Sequence, residues 1–323
     1  MIPVFNRSAE LADCLRGLGA QSLARGLFEV VVVDNCSTED LGPVAEAARA
    51  RFGLNLRLAR TPVNKGPAPA RNLGVSLATA PLIAFTDSDC RPDPQWLQAG
   101  LQVMQDAAVD FATGPVRAKP EQSPTLTSRM TFENLQEHPT YPTANLFVRR
   151  GVFLQHGGFD QSLSFRDPLD RTVECADTDF AWRVLEAGGK HRFAAEASVC
   201  HEIEQQDLLR WMLDPTRIFL LPELVRRHPG LRQRLLHAGL FFYPRAWLVP
   251  AGLVLLLMLA LSAPAWLTAL PVLLLARAAQ RRRTLNPVVL LSFCARACLN
   301  AVRLCLMLVA LLYGSLRFRS LVL

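Results

Sequence analysis

At 323 residues the chain has room for one α/β domain of ordinary size and something more. Its eight cysteines form no C-x-x-C pair and no histidines cluster near them, which argues against a disulfide framework and a zinc module and fits a reducing compartment. Its formal charge of +7 is unevenly divided: thirteen of the 35 basic residues lie beyond Glu223, where no acidic residue follows, leaving 22 basic against 28 acidic groups up to and including it.

The tail is therefore +13 and the rest of the chain −6. A basic, acid-free, apolar tail points to an anionic membrane surface. Nucleic acid is set aside as a partner, because the arginines flank apolar runs and are not interleaved with polar or aromatic reading residues.

No signal peptide opens the chain. Met1-Ile2-Pro3-Val4-Phe5-Asn6 begins abruptly, as though inside a strand, so the expectation is a true start upstream or a misassigned Met1. Residues 8–22 read as an amphipathic helix with Leu11, Leu15 and Leu18 on one face and Ser8 as N-cap. Glu29 to Val33 is a β-branched run typical of a strand buried on both faces, broken by Asp34-Asn35-Cys36-Ser37-Thr38. A helix over 40–51, a strand over 54–59, a loop over 64–69 and a helix over 70–78 follow. Pro81 to Thr86 is an apolar strand, and a helix over 94–105 comes next. Repeated β-α-β units imply a doubly wound, mostly parallel sheet with helices on both faces.

Order loosens after 106. Strands are expected at 110–115 and 143–148, a turn at 157–160 and a polar, charged loop at 161–175. A helix over 177–187 ends at Gly188-Gly189. A short strand lies within 190–200, with His201 at its end.

The last third changes character. Ala246 to Ala276 is free of charge between Arg245 and Arg277, and as one helix it would run about 46 Å against a hydrocarbon core of roughly 30 Å. The Ser262-Ala263-Pro264 break suggests two short arms, whose hairpin would return both Arg-flanked ends to the cytoplasmic side; one tilted span is the alternative and would place Arg281-Arg282-Arg283 outside. A second apolar stretch, 287–316, contains Arg296 and Arg303 and reads as an interfacial or membrane helix. The expected domains are a catalytic unit over 1–227 and a membrane-attachment region over 228–323, with the catalytic unit facing the cytoplasm.

Asp87-Ser88-Asp89 concentrates the chemistry. Two carboxylates one residue apart, just past a strand end, can hold a hard divalent cation, and the cation can hold a diphosphate. An ordinary acidic turn is the plain alternative. Asn6, Asp34 and His201 also stand at strand ends, and in a doubly wound sheet such ends gather in one crevice.

The order of these segments resembles the family 2 glycosyltransferases over roughly residues 2–227. The matching segments are Pro3-Val4-Phe5-Asn6, Val32-Val33-Asp34-Asn35-Cys36-Ser37-Thr38, Asn64-Lys65-Gly66 with Ala70-Arg71-Asn72, Asp87-Ser88-Asp89, and Asp177 to Arg183. The resemblance implies the GT-A fold and an inverting transfer from a nucleotide-diphospho-sugar, UDP-linked by the family's habit. The acceptor would be a hydroxyl of a lipid-linked or envelope glycan, and Mg²⁺ or Mn²⁺ would assist. It also implies that Pro3 and Asn6 line the nucleotide pocket, Asp34 contacts the base, and Arg71 and Asn72 sit near the nucleotide-sugar. Asp87 would hold ribose or the metal's water shell, Asp89 and His201 the metal. Asp177 would be the general base, with its pKa lowered by the helix dipole and Asp179 as competitor.

The chain departs from the family where a Glu is usual and Ala176 stands instead, with Glu174 as a possible substitute two residues away. The Gln-x-x-Arg-Trp signature of processive relatives is also missed, since Gln206 stands four residues before Arg210-Trp211. Single-sugar transfer is therefore favoured over polymer extrusion. A sugar nucleotidyltransferase and a non-catalytic nucleotide-sugar-binding membrane protein are the competing readings.

Overall fold

The computed structural model describes residues 1–129, 133–244 and 287–323 together with Gly252 and Met258, with the backbone alone for 287–294. It divides into two compact units, Met1–Trp211 and Met212–Leu323.

The first unit opens β1 (Ile2–Val4), α1 (Ser8–Gly19), β2 (Val30–Asp34), α2 (Gly42–Phe52), β3 (Leu56–Arg60), α3 (Pro67–Leu77) and β4 (Leu82–Phe85). β1, β2 and β3 pair in parallel in the order β1-β2-β3. All five residues of β2 are buried, as a β-branched run covered on both faces should be. Leu11, Cys14, Leu15 and Leu18 of α1 pack into the same core as Ile2, Val30 and Val32. α2 carries Pro43 in its first turn and ends at Gly53 in the left-handed region, the usual division of labour between proline and glycine at helix ends.

After β5 (Cys90–Pro92) and α4 (Trp96–Met104) the chain builds β6 (Phe111–Thr113), β7 (Val116–Ala118), β8 (Ser128–Arg129) and β9 (Leu146–Arg149). Then come α5 (Arg150–Gln155), β10 (Ser164–Arg166), β11 (Thr172–Glu174), α6 (Ala176–Glu186), β12 (His191–Phe193), β13 (Val199–His201), β14 (Glu204–Gln205) and α7 (Leu208–Leu213). β12, β6, β9 and β4 form one sheet in that order, with β9 antiparallel to both neighbours. The two sheets join at Met1, whose nitrogen donates to Ala84 O and whose carbonyl accepts from Thr86 N. The strand order across the join is β3-β2-β1-β4-β9-β6-β12, mostly parallel, with β9 the reversal.

A small second sheet, β5-β13-β7, lies beside the end of β4. Residues 161–175, expected as a loop, instead contain the antiparallel hairpin β10–β11. Its strands are three residues each, too short for their polar-apolar-polar pattern, with Phe165 opposite Val173, to announce it. Ser8 does not cap α1: Glu39 does so from the loop after β2, accepting from the backbone N–H of Arg7 at 3.3 Å and Ser8 at 3.0 Å.

The second unit holds a 3₁₀ turn (Asp214–Leu220), α8 (Leu221–Arg227), α9 (Pro229–Leu235) and α10 (Pro287–Phe318). Phe219 stacks on Tyr313 of α10 with ring centroids 5.4 Å apart. Within α10, Ala295–Phe318 is 24 residues, long and apolar enough to cross a membrane. The expected hairpin over 246–276 lies outside the described residues, apart from Gly252 and Met258.

Candidate active site

The C-terminal ends of β1, β2 and β4 carry the polar groups, as a doubly wound sheet requires. Pro3 is buried within β1, opposite Val33. Asn6 and Arg7 follow with φ of 46° and 111°, a left-handed pair rare for side-chain-bearing residues. Asn6 Oδ1 accepts from the Thr38 backbone N–H at 2.8 Å, and Asn6 N–H donates to Ser37 Oγ at 2.8 Å, tying the two strand ends together. Asp34 accepts from Ser37 N–H at 2.8 Å and pairs with Arg60 at 3.2 Å. Its carboxylate thus holds the turn that leaves β2.

Past β4, Asp87 and Asp89 diverge. Asp89 Oδ2 pairs with Arg7 Nη1, while Asp89 Oδ1 lies 3.4 Å from His201 Nε2 and, though buried, accepts no hydrogen bond. The register of β13 against β5 sets His201 opposite Cys90 and so beside Asp89, and Glu202 N–H donates to Asp89 O at 3.0 Å. His201 Nδ1 lies 2.8 Å from the Glu202 carbonyl. A carbonyl only accepts, so Nδ1 carries the proton and Nε2 turns its lone pair toward Asp89. Asp89, Cys90 and His201 bring their ligand atoms within 4.8 Å of one another. An orphaned carboxylate oxygen facing an imidazole lone pair fits a divalent cation. Burial opposes the charge on Asp89, but His201, when its ring is protonated, and then Arg7 outweigh it and hold the carboxyl below its usual range.

Asp87 belongs to a second group. Arg71, with its side chain 8% exposed, donates to Asp87 Oδ1 at 2.7 Å and to Glu174 Oε1 at 2.6 Å. Glu174 Oε2 accepts from the Ala68 N–H at 2.9 Å, at the start of α3. Gly66 precedes that helix at φ 98°, and a Cβ there would come within 2.8 Å of Thr172, so the close approach of hairpin and helix needs a glycine. Glu174 therefore reaches this cluster, while Ala176, at the family's Glu position, is buried.

Asp177 lies in the first turn of α6. Its Oδ2 accepts from Thr143 N–H at 3.2 Å and its Oδ1 from Thr178 N–H at 2.8 Å. Two side chains of α6 fasten the loop that presents Thr143: Thr178 Oγ1 donates to Thr140 O and Trp182 Nε1 to Pro139 O, each at 2.8 Å. The helix seats Phe180 against Phe153 and Phe159. The expectation of a lowered Asp177 pKa is corrected. Burial raises it, against the pull of Arg71, and Asp87 adds to the rise. Desolvation outweighs the helix dipole here. Glu174 is raised by burial in the same way. Asp179, the competing base, is 2% exposed and paired with Arg183 at 2.8 Å, which leaves Asp177 the better placed of the two.

The structure thus brings Asn6, Asp34, Asp87, Asp89, His201, Arg71, Glu174 and Asp177 to one set of strand and helix ends. Asn72 is otherwise engaged: its amide makes a two-way bond with the Phe159 backbone, donating at 2.8 Å and accepting at 3.0 Å. Arg7, Glu39 and Thr143 are site neighbours that sequence reasoning misses. Only Arg7 carries a signal, its place directly after a strand-end Asn.

Residues 1–170 match the family described as Glycosyl transferase family 2. The chain is 27% identical over 208 residues to the glycosyltransferase AglE of Haloferax volcanii, covering 62% of this chain and 65% of AglE. It is 28% identical over 219 residues to a pre-mycofactocin glycosyltransferase of Mycobacterium tuberculosis, covering 64% of this chain and 43% of that protein. The chain thus spans less than two thirds of either relative. In fold it is similar to the mannosyltransferase PcManGT of Pyrobaculum calidifontis, solved with GDP-Man and Mn²⁺, with a TM-score of 0.64, 19% identity, and coverage of 93% of this chain and 84% of the other.

Proposed function

The chain belongs to glycosyl transferase family 2, and on that premise we propose that it is an inverting glycosyltransferase acting on a lipid-linked or envelope-glycan hydroxyl. The donor is a nucleotide-diphospho-sugar, and Asp177 is the base. One observation carries this reading. The orphaned Asp89 Oδ1 facing His201 Nε2, and the Arg71 group holding Asp87 and Glu174 near Asp177, fall at neighbouring element ends.

In this reading Asp89 and His201 hold a divalent cation, Mg²⁺ or Mn²⁺, which when bound stabilises charge on the departing diphosphate. Asn6 and Asp34 shape the nucleotide pocket, with a uridine donor the first choice and guanosine the second, the latter because PcManGT holds GDP-Man. Arg71 is a positioning residue that orients Asp87 and Glu174. Asp177 accepts the proton of the acceptor hydroxyl as its oxygen bonds the anomeric carbon. The bond from that carbon to the diphosphate breaks, and its electron pair leaves with the diphosphate. A base need not be strong if it acts only as the bond forms, and a pKa raised by burial brings Asp177 closer to working pH. The second unit attaches the catalytic unit to the cytoplasmic face of a membrane, beside a lipid-linked acceptor.

The test is sugar transfer from UDP- and GDP-sugars, with and without EDTA, and anomer analysis of the product. Transfer that survives EDTA, or full activity in Asp89→Ala, would remove the metal from the scheme. A retained anomeric configuration would remove the inverting mechanism. Nucleotide binding without turnover of any donor would favour a non-catalytic binding protein, the reading that Ala176 at the usual Glu position invites.

A further inference from the structure

We propose that Arg7 is a resident counter-cation of the metal site, so that a divalent cation and a nucleoside diphosphate bind to this chain together and each binds weakly alone. The inference rests on Asp89 and His201 being the metal ligands. Asp89 has one oxygen on the Arg7 guanidinium and the other turned to His201 Nε2. A dication entering beside Oδ1 would therefore meet a positive charge on the far side of the same carboxylate, and like charges at that range oppose each other strongly.

The placement of Arg7 is built. Two successive left-handed residues, Asn6 and Arg7, turn the chain out of β1. Glu39 holds that turn by accepting from the N–H groups of Arg7 and Ser8, and Asn6 bonds the Thr38 backbone. Strained backbone of this kind persists only where its surroundings fix it, and it gathers at functional sites.

The guanidinium also has somewhere to go. Its side chain is 38% exposed, and Glu204 and Glu10 act on it electrostatically besides Asp89. A diphosphate brings oxygens that a guanidinium binds in a fork. Drawn toward the diphosphate, Arg7 would release Asp89 to the cation, and the diphosphate would offset the charge of both. Loading of one ligand then favours the other.

The experiment is titration with Mn²⁺, followed by the electron paramagnetic resonance of the free ion, on the full chain with and without UDP or GDP. Wild type should bind Mn²⁺ at least about tenfold tighter when the nucleotide is present, and by linkage Mn²⁺ should tighten the nucleotide by the same factor. Arg7→Gln, with Arg7→Met as a second neutral form, should bind Mn²⁺ alone about tenfold tighter than wild type and lose most of that coupling. Arg7→Lys should keep the wild-type pattern. Unchanged or weaker Mn²⁺ binding in the neutral variants overturns the inference, as does tightening in Arg7→Lys equal to theirs. Mn²⁺ binding to no form, with or without nucleotide, overturns the metal reading itself and this inference with it.

Discussion

As the proposed base, Asp177 would serve chemistry at the expense of the fold. Burial raises its pKa, with Arg71 opposing. A carboxyl whose folded pKa exceeds its unfolded one takes up protons on folding, so its contribution declines as pH rises from the unfolded to the folded value. Above that window the charged form is a net burden. Asp177→Asn should therefore raise the melting temperature at neutral pH while lowering kcat by about 10²–10⁴-fold with donor affinity kept. Thermal melts and steady-state kinetics on the same preparation check both arms. A variant that is inactive and less stable would argue for a structural role. The wild-type rate should climb with pH through a midpoint above the usual carboxylate range, because the base must be ionised to act.

Arg71 is the converse case. It is buried between Asp87 and Glu174, and the attraction of the two carboxylates outweighs burial to raise its pKa. Arg71→Met would leave those carboxylates beside Asp177 without their cation, and should destabilise the chain by about 3–5 kcal/mol in denaturant unfolding. Arg71→Lys should recover only part of this, since an ammonium does not span two carboxylates as a guanidinium fork does. At this scale the sequence was informative about Asp87, Asp89 and Asp177, whose residue types and strand-end or helix-start positions announce them. It gave the wrong direction for the Asp177 pKa, because the burial that raises it depends on a loop, 139–143, that only the folded chain brings to it.

Elements decide which of these residues meet. Strands β1, β2 and β4 were legible as apolar runs, and so was the gathering of their ends. The pairing of β13 with β5 was not. It joins residues 111 positions apart, Cys90 and His201, and such register depends on tertiary context that local periodicity does not carry. The hairpin β10–β11 escaped for a different reason: its strands are three residues each with one apolar residue apiece, Phe165 and Val173, too short for a period to show. Its turn hangs on Asp167, which accepts from the Leu169 and Arg171 N–H groups at 2.9 Å each and pairs with Arg171 at 2.6 Å. The strand that follows ends at Glu174, which grips Arg71 and the start of α3. Asp167→Ala should loosen the hairpin, so limited proteolysis should cut within 166–171 and kcat should fall more than the melting temperature changes. Equal proteolytic resistance in both forms would show that the turn is held by other contacts.

The whole molecule is organised by charge. Residues 1–223 are net negative and the remainder is +13 with no acidic residue, a contrast readable from composition before any element is drawn. In the second unit, α10 leaves Val309, Leu312, Tyr313 and Leu316 exposed at 44% or more, more apolar surface than a single helix turned to water normally shows. A helix with such a face, bordered by arginines, should bind bilayers through two separable forces. Apolar insertion is indifferent to salt, while attraction to anionic headgroups fades as the Debye length falls from about 10 Å at 0.1 M to about 3 Å at 1 M. The full chain should therefore sediment with neutral vesicles, sediment more with vesicles containing anionic lipid, and lose only that surplus in high salt. Replacing Arg317 and Arg319 with Gln should shrink the anionic surplus and leave the neutral fraction alone. If the chain stays in solution with both kinds of vesicle, the exposed face of α10 belongs to a protein partner, and the proposed lipid-linked acceptor loses its physical basis.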